Sequence, residues 1–117
     1  MLPAAARMRA RTEFTATVRG GRRAAAPALV VHLSAGADPG LPQVGFVVNR
    51  AVGGAVVRNR VRRRLRHLMR ARLVTLPAGT RVVIRANPAA DGRSSTQLAA
   101  DLDRALTRAL GQPAGSR

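Results

Sequence analysis

Apolar residues recur three and four positions apart in three stretches, and each stretch predicts a helix. They run from Arg11 to Gly20, from about Gly54 to Val74, and from Ser94 to Leu110. The last has the clearest start signal, because Ser94 followed three residues later by Gln97 is typical of a capping box. Leucines at every fourth position give this helix one apolar stripe: Leu98, Leu102, Leu106 and Leu110.

Short apolar runs rich in β-branched residues predict three strands, Ala28–Leu33, Gln43–Asn49 and Thr80–Ala86. The segment "RRAAAP" before the first strand is typical of a loop, although a further short strand in "RRAAA" stays open. The order helix, strand, strand, helix, strand, helix predicts an α+β fold, a sandwich of helices packed on a small central sheet. We expect one domain over residues 1–117, ordered from about 9 to 110, with a frayed basic start and a disordered tail over 111–117.

Charge sets the class of partner. The chain has 117 residues, with 21 basic side chains against 5 acidic ones and a net charge of +16. All of the basic side chains are arginine. This excess predicts a polyanionic partner, with nucleic acid as the first candidate and an anionic membrane as the second. Because the chain has no cysteine, disulfides and cysteine-based zinc sites are excluded. We expect a cytoplasmic protein, because no secretory signal or apolar membrane span is present.

The charge is concentrated in "RNRVRRRLRHLMR", Arg58–Arg70, which holds seven arginines and no acid. Repulsion between like charges four apart costs this helix roughly 1 kcal/mol in total. Burial of even two apolar side chains outweighs that, at about 1.5–3 kcal/mol each. Those side chains recur at helical spacing: Val57, Val61, Leu65 and Leu68, extended by Met69 and Leu73.

Two plain explanations of this helix fail on its sequence. A salt-bridged surface helix needs acids at matching spacing, and none occurs between Asp38 and Asp91. A helix lying on a membrane favours aromatic residues on its apolar face, and this face has none. The remaining interpretation is a helix that binds phosphates, since the planar arginine fork bonds two phosphate oxygens at once. Composition alone leaves RNA and DNA open.

A local motif is more specific. "VGGAVVRNRVRRRLR", Val52–Arg66, resembles the signature of the bacterial ribonuclease P protein component. The positions that follow that pattern are Val52, Ala55, Arg58, Asn59, Arg60, Val61, Arg63, Leu65 and Arg66. The segments "RMRARTEF", "GFVVNR" and "VVIRANPAA" also resemble that family, so the resemblance covers roughly Arg7 to Leu110.

The resemblance implies a fold and a function. The fold is an α-β sandwich of the ribosomal-protein-S5-domain-2-like type, with a left-handed β-α-β crossover. The function is that of the protein subunit of ribonuclease P, an endonuclease that removes the 5′ leader of precursor tRNA. In that family the RNA subunit is the catalyst, and it holds the magnesium ions. The implied partners are the ribonuclease P RNA and precursor tRNA, with neither a membrane nor a stable protein partner.

The resemblance also assigns two sets of site residues. The set that would contact the catalytic RNA is Arg58, Asn59, Arg60, Arg62, Arg63, Arg66 and Arg70. The set that would contact the leader is Phe14, Val18, His32 and Arg50. In the second set this chain departs from the family: Val18 replaces an aromatic, His32 stands where tyrosine is common, and Arg50 is followed by Ala51 instead of a second base. Fewer aromatic platforms should weaken the grip on the leader or shift it towards phosphate contacts.

Other readings stay beside this one. A ribosomal or other structural RNA-binding protein would share the charge, a nucleoid protein would prefer duplex DNA, and a stand-alone nuclease would cleave without an RNA subunit. Phe14 and His32 are also compatible with core packing, and Gly53-Gly54 with a plain tight turn. The five acids do not pair for acid–base work, so we predict no catalytic residue and no metal site formed by the protein alone.

Overall fold

The computed structural model describes residues 17–19, 21–35, 40 and 42–111. The elements are β1 (Arg22–Ala25), β2 (Leu29–Ala35), β3 (Gln43–Val47), α1 (Ala55–Leu73), β4 (Thr80–Ala86) and α2 (Ser95–Gly111), with a 3₁₀ turn at Pro88–Ala90 before α2. Residues 17–19 are helical and belong to the predicted first helix. The rest of that helix, including Phe14, and both predicted chain ends beyond residue 111 and before residue 17 lie outside the described residues.

The four strands form one mixed sheet in the order β1-β2-β4-β3. β2 pairs antiparallel with both β1 and β4, whereas β3 and β4 run parallel. Because α1 connects the two parallel neighbours, β3-α1-β4 is a β-α-β crossover. The α+β sandwich is therefore confirmed, whereas the left-handed sense of the crossover stays a prediction.

The segment before β2 was predicted as a loop, and that prediction is wrong for Arg22–Ala25, which form the edge strand β1. Ala26 and Leu29 exchange backbone hydrogen bonds of 2.8 and 3.4 Å and so close a hairpin. Pairing with β2 supplies the backbone partners that arginine and alanine do not favour by strand propensity. The fold therefore contains the further strand that the sequence left open.

Two boundaries show local causes. β3 ends at Val47, not at Asn49, and the Asn49 side chain accepts a hydrogen bond from the Ala51 N–H at 3.1 Å, which starts the turn into α1. The predicted capping box of α2 is confirmed. The Ser94 N–H donates to Gln97 Oε1 at 2.9 Å, and the Gln97 N–H donates to Ser94 Oγ at 3.1 Å.

Both helices pack on the same face of the sheet, and the apolar core lies between them and the strands. Its largest buried side chains are Leu29, Val31, Leu33, Val44, Val61, Leu65, Met69, Val82, Ile84, Leu98 and Leu102. The predicted leucine stripe of α2 is correct for its first three members, but Leu110 is 38% exposed. Leu110 lies in the last turn, where α2 runs past the edge of the core.

A buried carboxylate joins α2 to the strand hairpin. Asp101 is 1% exposed. Its Oδ2 accepts a hydrogen bond from the Ala28 N–H at 3.0 Å, and its Oδ1 pairs with Arg104 at 2.6 Å. Burial of this charge is tolerated because both carboxylate oxygens have partners.

Candidate nucleic-acid interface

Helix α1 divides its side chains between the core and the outside. Val61, Leu65 and Met69 are almost fully buried against the sheet and α2. The outer side carries the predicted RNA-contacting residues, which we call the arginine surface: Arg58, Asn59, Arg60, Arg62, Arg63, Arg66 and Arg70. Arg58 and Arg62 are half-buried and the other five are exposed. The fold thus brings all seven predicted residues together on one helix.

The positive charge of the arginine surface is not neutralised within the described residues. None of its six arginines has an ion pair there, and Arg62 Nη1 makes only a 3.4 Å hydrogen bond to Asn59 Oδ1. Nε of Arg58 is buried and has no hydrogen-bond partner among the described residues. A concentration of unpaired guanidinium groups is an electrostatic site for a polyanion.

Two other arginines of α1 have structural roles that the sequence did not reveal. Arg64 Nη1 donates to the backbone oxygen of Arg93 at 2.6 Å. Arg72 forms a two-point ion pair with Asp103, with distances of 2.6 and 3.0 Å. The hydrogen bonds raise the pKa of Arg72 and lower the pKa of Asp103. These contacts attach α1 to α2 and to the loop before it.

The start of α1 has no acidic or hydroxyl cap. Gly54 is the N-cap residue and makes no side-chain cap hydrogen bond, and the first turn contains no acid. Gly53 has φ of +154°, and a Cβ there would lie 2.8 Å from a Val57 side-chain carbon. The turn requires glycine at this position. It leaves the positive end of the helix dipole without a side-chain anion.

The sheet face opposite α1 and α2 carries His32. Alternation along β2 places Val30, His32 and Ser34 on this face. His32 is 6% exposed, and its Nδ1 has no hydrogen-bond partner in the described structure. Burial, followed by the charges of Arg85 and Arg23, lowers the pKa of His32 below its ordinary value of 6.5. The imidazole is therefore neutral at pH 7.

The described part of the first helix lies against this same face. Thr17 is fully buried, and its hydroxyl oxygen is 3.5 Å from that of Ser34 on β2. Val18 is half-buried, and Arg50 is exposed in the turn that leads from β3 to α1. His32 and the short helical segment with Val18 are thus close to the same face, Arg50 lies at the end of β3, and Phe14 is outside the described residues.

Sequence reasoning missed two arginines on this face, Arg23 and Arg85. Arg23 is paired with His32 across β1 and β2, and Arg85 follows two residues after Val83, the β4 partner of His32. The two-residue repeat of "TRVVIRA" already places Arg81 and Arg85 on one face. The missing information was the register, which depends on strand pairing.

Two other classes of site were sought in the part of the chain that the structure describes. It contains no group of three or more histidine, aspartate or glutamate side chains able to hold a metal ion. None of its helices combines the length and the apolar character required to cross a bilayer.

Comparison with known proteins identifies the family. Residues 2–110 match the family model described as ribonuclease P. The ribonuclease P protein component of Streptomyces avermitilis is 56% identical over 119 residues, which cover 95% of this chain and 97% of the relative. That of Acidothermus cellulolyticus is 54% identical over 109 residues, which cover 92% and 91% of the two chains. That of Salinispora tropica is 48% identical over 135 residues, which cover 100% and 98%.

Solved structures show the same fold. The RNase P protein of Staphylococcus aureus matches with a TM-score of 0.80 at 20% identity, covering 95% of this chain and 98% of that one. The RNase P protein of Thermotoga maritima matches with a TM-score of 0.75 at 23% identity, covering 87% and 96%. The motif on α1, the sheet order and these matches agree: the chain belongs to the ribonuclease P protein family, as the protein subunit that works with ribonuclease P RNA in tRNA processing.

Proposed function

We propose that the arginine surface docks on the ribonuclease P RNA and that the opposite face of the sheet receives the single-stranded 5′ leader of precursor tRNA. One observation supports the first half above all. Six arginines cover the outside of α1, and none has an ion pair within the described residues. Guanidinium groups kept free of internal acids are available for phosphates.

Folded RNA suits this helix better than a duplex groove. Side chains cannot enter the deep, narrow major groove of A-form RNA, whereas phosphate ridges are accessible to a helix lying along them. The seven residues of the arginine surface would contact such a ridge. The uncapped start of α1 adds a further anion-binding end, because the free backbone N–H groups there point outward.

The leader assignment rests on the other face. His32, Val18 and Arg50 would contact the leader directly, together with Phe14 as an aromatic platform. Stacking of a base on an aromatic side chain contributes about 1–3 kcal/mol. Since Val18 offers no ring and His32 is almost fully buried, this chain has less stacking surface than its resemblance to the family implies.

We assign the chemistry to the RNA subunit, with magnesium ions held mainly by RNA. The protein contributes its net charge of +16, which lowers the repulsion between two RNA molecules and so the magnesium concentration that cleavage requires. Since both proposed partners are RNA, we place the protein in the cytoplasm and propose no stable protein partner.

The test is cleavage of precursor tRNA by a bacterial ribonuclease P RNA at low magnesium, with and without this protein. We expect a mature 5′ end only when both components are present, and no cleavage by the protein alone. Binding should weaken steeply with salt, because phosphate contacts release counterions. A lack of rescue, together with tight binding to unrelated structured RNA, would instead favour a structural RNA-binding protein.

A further inference from the structure

The sheet face around His32 has a regular arrangement of side chains. Strand pairing places Arg23 of β1, His32 of β2 and Val83 of β4 in one row across the sheet. The next row contains Ala25, Val30, Arg85 and Val47, from β1 to β3. Residues of both rows share the face opposite α1 and α2, since side chains alternate along each strand.

Exposure divides these residues into a floor and two flanks. Val30, His32 and Val83 are buried and form the floor. Arg23 and Arg85 are exposed and lie on opposite sides of His32. Two strand spacings across the sheet and two residues along it separate their Cα atoms by roughly 12 Å. This separation leaves room for a nucleotide between two phosphates, each bound by one guanidinium.

The electrostatics of the same face support this division. Both guanidinium groups are near enough to His32 to lower its pKa. Arg85 makes no hydrogen bond or ion pair with any other described residue. A neutral floor between two cations matches a nucleic-acid strand, in which a flat base alternates with charged phosphates.

We propose that Arg85 and Arg23 bind two leader phosphates on either side of His32, so that this chain grips the leader by a phosphate clamp across the sheet. The inference rests on the proposed leader-binding function of this face. It explains how the protein retains a leader although Val18 and His32 replace aromatic platforms. Because phosphates are present at every nucleotide, the clamp tolerates any leader sequence, and its strength depends on salt.

The experiment uses the reconstituted holoenzyme. Dissociation constants are measured for precursor tRNA and for the same tRNA without its leader, over a range of salt concentrations. Their ratio isolates the leader contribution from RNA docking. For Arg85→Ala and for Arg23→Ala, we expect that ratio to fall roughly 5- to 10-fold, about 1–1.4 kcal/mol. The salt slope of the ratio should decrease by about 0.7 per variant, the value for one single-strand phosphate.

Arg93→Ala is the matched control, because it removes the same charge from the loop before α2, and the backbone oxygen that binds Arg64 remains. It should leave the leader ratio unchanged. Arg85→Lys should keep the salt slope, since it keeps the charge, and should lose part of the affinity with the forked geometry. Thermal unfolding of each variant separates a loss of folding from a loss of binding.

The outcomes distinguish the clamp from the underlying function. If the wild-type holoenzyme prefers leader-bearing tRNA but both alanine variants keep its ratio and salt slope, the clamp is wrong and leader binding stands. If the wild-type holoenzyme itself shows no leader preference, the leader-binding half of the proposed function fails.

Discussion

The two long helices of this protein lie on the same face of one sheet and use their charges in opposite ways. α2 begins with a reciprocal capping box, and its acids Asp101 and Asp103 both pair with arginines. α1 has no side-chain cap, no acid in its first turn and six arginines without an ion pair among the described residues. α2 therefore satisfies its polar groups internally, whereas α1 leaves them for a partner.

What stabilises α1 is burial and its attachment to α2. Val61, Leu65 and Met69 pack in the core, and Arg64 and Arg72 are bound to neighbouring segments. The helix can thus carry its repulsion without internal acids, since burial of each large apolar side chain is worth about 1.5–3 kcal/mol. The comparison predicts that changes to α1 affect binding and that changes to α2 affect stability.

The largest expected effect is on RNA docking. Replacement of Arg60, Arg63 and Arg66 by alanine removes three exposed cations from α1. We expect affinity for the ribonuclease P RNA to fall on the order of 100- to 1,000-fold, about 3–4 kcal/mol. The slope of log affinity against log salt should shrink by roughly 3. Thermal stability at low salt should stay the same or rise slightly, because like-charge pairs are removed.

The control for that variant is a triple replacement elsewhere. Arg19→Ala, Arg93→Ala and Arg108→Ala together change the net charge equally but leave the arginine surface intact. An equal loss of RNA affinity in both triple variants would show that net charge, not the placement of charge on α1, governs docking.

The next effect tests α2 through Asp101. Asp101→Ala leaves the N–H of the buried Ala28 without its acceptor, and a buried donor left unsatisfied costs about 1–3 kcal/mol. We expect the free energy of unfolding to fall by about 2 kcal/mol in chemical denaturation, with unchanged RNA affinity of the folded protein. Asp101→Asn keeps an acceptor oxygen and should lose less. A loss within about 0.5 kcal/mol, the usual range for surface changes, would contradict the structural role of Asp101.

The sequence predicted these helices to different depths. The capping box and the leucine stripe of α2 are local patterns, so its start was predicted to within one residue. The apolar stripe of α1 was likewise visible, and it places the seven arginine-surface residues on the outside. The partners of Arg64, Arg72 and Asp101 were not predictable, because they depend on how α1, α2 and the hairpin meet in three dimensions. β1 was ambiguous for the same reason: only pairing with β2 makes a strand of "RRAA".

A smaller effect sharpens the contrast between the two helix starts. Ser94→Ala removes the hydroxyl that accepts the Gln97 N–H and should lower stability by about 1 kcal/mol. Gly54→Ser at the start of α1 supplies a hydroxyl where none caps the helix and should gain only a few tenths of a kcal/mol. Both are measured by denaturant unfolding at constant m-value. An unchanged Ser94→Ala protein would show that tertiary packing alone fixes the start of α2.

The smallest effect concerns the contact between the helices. Arg72 and Asp103 are partly exposed, so a double-mutant cycle with alanine at both positions should give a coupling of only about 0.2–1 kcal/mol. Hydrogen bonds from Arg72 lower the pKa of Asp103 from its ordinary value of 3.8. The folded state therefore binds fewer protons than the unfolded state, and the coupling is complete above pH 3.8 and lost as pH falls through the lowered pKa. It should also shrink in 1 M salt, where the screening length is about 3 Å. Arg70→Ala, which removes a cation without an ion pair in the described residues, should show no coupling to Asp103. A coupling that resists both acid and salt would mean that packing between the helices, not charge, attaches α1 to α2.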